Sequence, residues 1–335
     1  QQETVVEKAT ENIEAYTEHL KGLHHLKIGN PEEAKKAIAH FQKALSLDPG
    51  FAMAECGLSR CYSYLGSCGV LPAVSAYAKA LKRVMSAIEK NGNFAEGHLA
   101  LANIKFYHFW DWNGARESIE KAMSLGLNSA EVYQSYGLYF AAIGHPSKGI
   151  PEMLKALELD PLSIPVMSML GTLYLFDQQY EKAIRQFEEI LELQPTFRGA
   201  YQYKGISLAC MGRYEEAMKV FKIYHDEVNH PNKAVLGMII SHNQMGNHEM
   251  ADELLKRLYQ RLEEDYSATV EVDLAIAHAG IGDYDTAIDF LEKVYDNRLS
   301  IACMGMIWVM RCPLFMNLWS HPGYKKLLDR MQLSN

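Results

Sequence analysis

Apolar positions return along this chain in paired helical stretches, and the pairs themselves recur. Residues 130–161 align with 164–195 at a shift of 34. The shift matches Tyr133 with Met167, Gly137 with Gly171, Gly149 with Ala183, Met153 with Phe187 and Pro161 with Pro195, and one more step reaches Tyr201, Gly205, Ala217 and Phe221. Each period reads as a helix bearing a large and then a small residue, followed by a helix bearing a small residue, an aromatic and a further small one. Small side chains are needed where a hairpin crosses, because they let helix axes approach to about 8 or 9 Å. Phe187 and Phe221 then fill the space toward the next hairpin.

The punctuation agrees. Leu-Asp-Pro closes a helix at Pro49 and at Pro161, and Leu-Gln-Pro closes one at Pro195, since proline cannot continue a helix. Gly212 and Gly282 stand at the end of a first helix, each followed by acidic residues in the first turn of a second. Continued along the chain, the pattern predicts units near 12–49, 52–92, 95–127, 130–161, 164–195, 198–229, 232–265 and 268–296. The last two keep Ala251 and Ala287 at the crossing but lack a closing proline. From 299 to 335 the period breaks, and Leu314, Phe315, Leu318, Tyr324, Leu327 and Leu328 predict short amphipathic helices covering the last hairpin. The expected fold is an all-α, right-handed superhelical solenoid of antiparallel helix hairpins, a repeat array over 1–298 with capping helices over 299–335.

The repeated positions resemble the tetratricopeptide repeat. A closer resemblance is carried by Tyr16-Thr-Glu-His-Leu-Lys-Gly, by Phe109-Trp-Asp-Trp-Asn-Gly-Ala with its paired Trp110 and Trp112, by Ala156-Leu-Glu-Leu-Asp-Pro-Leu-Ser, and by Arg311-Cys-Pro-Leu-Phe followed by His321-Pro-Gly-Tyr. This text is similar to the C-terminal repeat regions of bacterial class III adenylate cyclases, winged-helix transcription regulators and Ser/Thr kinases. The resemblance implies a regulatory or sensing module attached to an output domain, with protein or peptide binding, signal transduction or transcription regulation as its setting. No cyclase, kinase or DNA-binding motif is present in the 335 residues. The chain opens Gln1-Gln2 without Met or signal peptide, which reads as a piece of a longer protein or a processed form.

Composition narrows the partners. Hydrophobic residues at 48% and charged residues at 22% exclude disordered and collagen-like classes. A formal charge of −8 with scattered Lys and Arg removes the electrostatic footprint of a nucleic-acid binder. The most apolar run, 301–310, is too short to span a bilayer, so no membrane partner is expected. Cys56, Cys61, Cys68, Cys210, Cys303 and Cys312 form no C-x-x-C pair and suit reduced thiols in the cytoplasm, unless a missing anchor places the segment outside it.

Catalytic and metal templates fit poorly. Gly280-Ile-Gly lacks the third glycine and the preceding strand of a dinucleotide loop, and His248-Glu249 has Asp252 where a zinc protease needs His. Asp283, Asp285 and Asp289 lack the glycine and closing glutamate of a calcium loop, and adjacent His24 and His25 point to different helix faces. No enzyme activity, cofactor or metal is expected of this segment.

In repeats of this kind the first helix lines the concave face, and following the resemblance position by position gives the candidates. They are Arg60 and Tyr64, then Asn103, Phe106 and Tyr107, then Gln134, Thr172, Phe176 and Gln202, with Leu138, Ser168, Ile206, Asn243 and Gln244 also inward. Only Arg60 and Asn103 approach the basic set that clamps a terminal carboxylate. Aromatic area with amides suits an extended or helical peptide with apolar anchors, and the hydroxyls of Tyr64 and Tyr107 favour a partly wet site. For Phe106 and Phe176, interhelical packing is an equal alternative. The expected function is a non-catalytic scaffold for a protein or peptide, its own effector domain included. The alternatives are a small-molecule sensor holding a metabolite in the groove, and a homo-oligomer formed through an exposed hairpin face.

Overall fold

A computed structural model describes residues 10–226, 231–264, 268–297 and 300–333, and for 231–233, 264, 268–269, 297 and 300–305 the backbone alone. Gln1, the Cys303 side chain and the sequence-derived edges at 229, 265, 298 and 299 lie outside the described residues. The described residues are all-α, with no strand among them, and divide into two compact units, 1–128 and 129–335.

Unit 1 pairs α1 (Ile13–Ile28) with α2 (Pro31–Leu47), α3 (Ala52–Ser67) with α4 (Ala73–Lys90), and α5 (Ala95–Ile104) with α6 (Trp112–Ser124); one π-helical turn, Lys105–Phe109, prolongs α5. Unit 2 pairs α7 (Ala130–Ala142) with α8 (Pro146–Leu159), α9 (Ile164–Phe176) with α10 (Tyr180–Leu193), and α11 (Arg198–Cys210) with α12 (Tyr214–Asp226). It continues with α13 (Pro231–Gln244) and α14 (His248–Glu264), and with α15 (Ala268–Ile281) and α16 (Tyr284–Asn297). It ends in α17 (Ser300–Arg311), a 3-10 stretch Pro313–Ser320, and α18 (Pro322–Arg330).

Local chemistry sets these boundaries. The side chains of Asn12, Asn30 and Asp111 accept from the amides of Ala15, Glu33 and Gly114 at 2.9 to 3.0 Å, meeting donors that a helix start leaves open. Gly212 and Gly282 take φ of 74° and 90°, left-handed values that end α11 and α15 cheaply only with glycine. Within a hairpin the two helices differ in kind. In α9 most side chains are buried, whereas α10 buries one face through Ala183, Ile184, Phe187 and Ile190 and turns charges outward.

A phenylalanine of α2, α10 and α12 locks the stack, and Met153 takes that place in α8. Phe41 is fully buried between two first helices, and a Cβ placed on Gly22 or Gly57 would stand 2.6 or 2.5 Å from its ring. Phe221 is held in the same way between Gly205 and Gly237, and Phe187 lies under Gly171, where an added Cβ would be 2.7 Å away.

Unit 1 adds buried polar chemistry. The Glu18 carboxylate lies 2.7 Å from His40 Nδ1, 2.9 Å from Lys21 Nζ and 3.3 Å from Lys43 Nζ, and these partners hold its pKa down to about 2. Glu55 accepts from Lys90, Arg83 and Ser86 at 2.8, 3.1 and 3.2 Å. Burial alone would raise the Glu55 pKa, but the two cations more than offset it and the net shift is downward. His19 has no such support. Its ring packs against Phe41 and Phe51 at centroid distances of 5.4 and 5.0 Å, neither ring nitrogen has a hydrogen-bond partner among the described residues, and burial pushes its pKa down to about 4.

The C-terminal stretch does more than cover the last hairpin. Tyr295 donates to the Arg330 carbonyl at 2.7 Å, tying α18 to α16. Arg311, however, donates through Nε to the carbonyl of Ala142 at 3.0 Å, across 169 residues of sequence. In unit 2 α17 thus reaches back past the intervening hairpins to α7.

Two outcomes follow from this packing. Gly171→Ala is expected to lower stability by about 2 kcal/mol in urea unfolding, because Phe187 cannot retreat within a filled core, while Gly92→Ala, with nothing within 4 Å, leaves the midpoint unchanged. His19 is protonated in the unfolded chain below its ordinary pKa of 6.5 but stays neutral in the fold down to about 4. Stability is therefore full above pH 6.5 and falls as pH drops through that window, by up to about 3 kcal/mol. Urea titrations from pH 7 to 4 check this: His19→Leu flattens that part of the profile and raises stability at pH 7 by about 1 kcal/mol.

Candidate binding faces

In unit 1 the first helices α3 and α5 carry the expected groove residues. Arg60 is exposed, and Tyr64, Asn103 and Tyr107 are half-buried. Tyr64 donates to the Gly29 carbonyl at 2.6 Å, so its hydroxyl already braces the end of α1, and burial, then the neighbouring Cys68, raises its pKa. Phe106 belongs to the core. It is 4% exposed, with its ring edge-on to Trp112 at 5.2 Å and to Tyr107 at 4.9 Å. Of the two readings open for Phe106, interhelical packing is the one the structure shows.

The π-helical turn aims this region. Its extra residue per turn rotates the end of α5, and Trp110 then reverses the chain at φ 54°. Lys105 Nζ donates to the Gly114 carbonyl and to Ser118 Oγ, both at 3.2 Å, which fastens the turn to α6. Trp110 Nε1 donates to the Tyr107 carbonyl at 3.2 Å, and His108 stacks on Tyr77 at 4.2 Å with the planes 6° apart. Trp110 and Trp112, both buried, close the third hairpin. A separate hollow of about 370 Å³ lies among Gly50, Met53, Asn91, Phe94, Glu96 and Gly126.

Unit 2 presents a different surface. Gln134 and Gln202 are half-buried, but Thr172 is 5% and Phe176 7% exposed, and Thr172 Oγ1 donates to the Ser168 carbonyl at 2.9 Å. Leu138, Thr172 and Ile206 occupy equivalent inward positions on α7, α9 and α11, and all three are buried. Thr172 and Phe176 are thus buried within unit 2.

The C-terminal segment crosses this face. Residues 306–310 of α17 are all buried. Trp308 lies 6.4 Å from the Tyr203 ring and edge-on to Phe315 at 5.2 Å. Arg311 ends the helix at the Ala142 carbonyl, where the negative end of α7 favours a cation. A Cβ on Gly144 would stand 2.9 Å from its guanidinium. Burial lowers the Arg311 pKa, and it pushes the Tyr203 hydroxyl up to about 12. The fully buried Cys312 thiol is raised well above the ordinary range by burial and by a hydrogen bond with Cys210. None of residues 306–312 was marked by the repeat pattern. The apolar run 301–310, which holds the first five of them, was the available signal.

Five described cysteines form no disulfide, and no group of three or more metal-ligating side chains gathers among the described residues. His24 and His25 have ring centroids 5.7 Å apart, and the His25 ring stacks on His40 at 5.1 Å, its Nδ1 lying 2.6 Å from Glu33. No helix among the described residues is long and apolar enough to cross a membrane.

Antiparallel hairpins with small residues at a 34-residue step, packed against the large side chain of the second helix, give the described residues a tetratricopeptide-repeat-like fold. The tetratricopeptide repeat family matches residues 164–197, the hairpin of α9 and α10. Among curated proteins, the chain is 23% identical over 210 residues to anaphase-promoting complex subunit 3 of Schizosaccharomyces pombe, covering 61% of this chain and 31% of that protein. It is 24% identical over 177 residues to a lipoprotein NlpI homolog of Haemophilus influenzae, covering 52% of this chain and 54% of that protein. The chain thus spans about a third and about half the length of these relatives. A solved tetratricopeptide repeat protein from Parabacteroides merdae superposes on 74% of this chain and 98% of its own with a TM-score of 0.53 at 16% identity. PilW, a type IV pilus biogenesis factor, superposes on 62% of this chain and 94% of its own, also with a TM-score of 0.53, at 21% identity. These likenesses concern the fold.

Lys105→Met is expected to free the π-helical turn from α6. Hydrogen exchange should speed up over residues 105–112, with a stability loss of about 1 to 2 kcal/mol and no change in exchange over α1.

Proposed function

We propose that this chain is a non-catalytic scaffold that binds a protein or peptide segment through the first-helix face of unit 1. Tetratricopeptide-repeat proteins serve as protein-binding scaffolds, which is the coarse part of the reading. The finer part is supported by one observation: α3, α5 and the braced π-helical turn after α5 offer Arg60, Asn103 and Tyr107 at least partly exposed, whereas Leu138, Thr172, Phe176 and Ile206 of unit 2 are buried and only Gln134 and Gln202 beside them stay half-exposed. An aromatic with amide and guanidinium neighbours suits a peptide backbone with apolar anchors better than a terminal carboxylate. The Trp110 and Trp112 text and the Arg311-Cys-Pro-Leu-Phe tail further support a place as the regulatory module of a larger bacterial signalling or transcription-regulatory protein. The free thiols suit a cytoplasmic setting.

Selection of 15-residue peptides displayed on phage against the full chain tests the binding face. Selected peptides are expected to lose at least about tenfold in affinity on Arg60→Ala or Tyr107→Ala, as contacts worth over 1 kcal/mol do, and to be indifferent to Arg213→Ala. Peptides that bind both variants as tightly as the original chain would remove this face from consideration.

A further inference from the structure

Three aligned concave positions of unit 2 are buried, while Gln134 and Gln202 beside them are half-buried. Leu138, Thr172 and Ile206 are 6%, 5% and 4% exposed. The element crossing that face belongs to the chain itself. Of the paired helices, α17 contacts mainly the first helices α7 and α15, and the 3-10 stretch after it contacts α11 and α15. A groove lined by first helices thus holds a short helix with two anchors one turn apart: Trp308 beside Tyr203, and Arg311 on the carbonyl of Ala142.

We propose that α17 is an internal ligand of the unit 2 groove, and that the partner suited to this groove is an amphipathic helix of the same chemistry, with an aromatic anchor and an arginine one turn later, which competes with α17 for the site. The reading of the chain as a peptide-binding scaffold underlies this inference.

Two features make the internal ligand imperfect and therefore open to competition. The indole Nε1 of Trp308 is buried with no acceptor among the described residues, and so is Nη2 of Arg311. A buried donor left unmet carries its full desolvation penalty, so an incoming helix that meets either one gains over α17. The groove side is pre-formed for arginine. Gly144 leaves room for the guanidinium that any side chain would obstruct, and the end of α7 supplies the acceptor. Beyond the groove, Tyr324 donates to the Met310 carbonyl at 2.8 Å, a bond that can be removed without touching the groove.

The test uses a fluorescein-labelled peptide reproducing residues 300–312, followed by anisotropy on three full-length proteins: the original chain, Arg311→Met and Tyr324→Phe. The peptide should bind the original chain weakly, Arg311→Met at least tenfold more tightly, and Tyr324→Phe at least threefold more tightly, because each variant loosens the resident helix. A peptide carrying Arg311→Met itself should lose that gain on both variants. Circular dichroism confirms that each protein is folded; should Arg311→Met not fold, Tyr324→Phe with the two peptides carries the comparison alone. Equal affinity for every folded protein, or a gain indifferent to the peptide's arginine, overturns the proposal. Light scattering that shows the loosened variants pairing into dimers without taking up peptide overturns it in favour of exchange between two copies. Failure here, with phage-selected peptides still sensitive to Arg60→Ala, would remove this inference and leave the scaffold reading intact.

Discussion

The contact on which the stack depends is a phenylalanine ring pressed between two glycine-bearing helices. Phe41 touches its own hairpin at Gly22 and the next at Gly57, and Phe221 does the same at Gly205 and Gly237. One side chain therefore closes a hairpin and joins it to its neighbour. Truncating such a ring in a filled interior costs about 3 to 5 kcal/mol, and here the loss falls on two interfaces at once. Each ring needs a glycine on its own hairpin, at Gly22, Gly171 and Gly205, whereas the next hairpin offers Gly57 and Gly237 to Phe41 and Phe221 but Tyr203 to Phe187; the 34-residue step from Gly137 to Gly171 to Gly205 is the sequence record of the first of these contacts.

Most of the fold was legible for this reason. A period enforced by steric contact leaves large and small residues at fixed offsets, and Gly137, Gly171 and Gly205 disclose it without reference to any distant residue. Turns were legible too, since Gly212 and Gly282 answer to local backbone geometry. The candidate faces were less so. Helical phase tells which way a residue points, but not what lies over it. Arg60 and Tyr107 stay accessible and Thr172 does not, although all are inward-facing by the same rule. Phe106 joined the core because a π-helical turn shifts the register after Ile104, and nothing in the five residues from Lys105 to Phe109 announces an extra residue per turn.

The two units use different means to the same end. Unit 1 sets carboxylates inside its first helices at Glu18 and Glu55 and draws cations from the second helices to meet them, so its hairpins are joined by charge as well as by apolar contact. Removing one member of such a set would leave the others desolvated and unmatched, which makes these positions specific to their own hairpin. Unit 2 is joined chiefly by apolar contact in its regular hairpins, and that uniformity gives its inner face the run of small and apolar positions at Leu138, Thr172 and Ile206.

An inner face of that composition attracts an apolar helix, and the chain carries one of its own. The stretch 301–310 is apolar beyond what a terminal cap needs. As a cap it would have to bury one side against α16; set against the first helices, it buries every residue from Met306 to Met310. Arg311 then settles the direction in which the helix lies, because a guanidinium is stabilised at the carbonyl end of α7 and would be repelled at the amide end. The same residue that closes the apolar run thus fixes its orientation in the groove. In this way a repeat array acquires a contact across 169 residues.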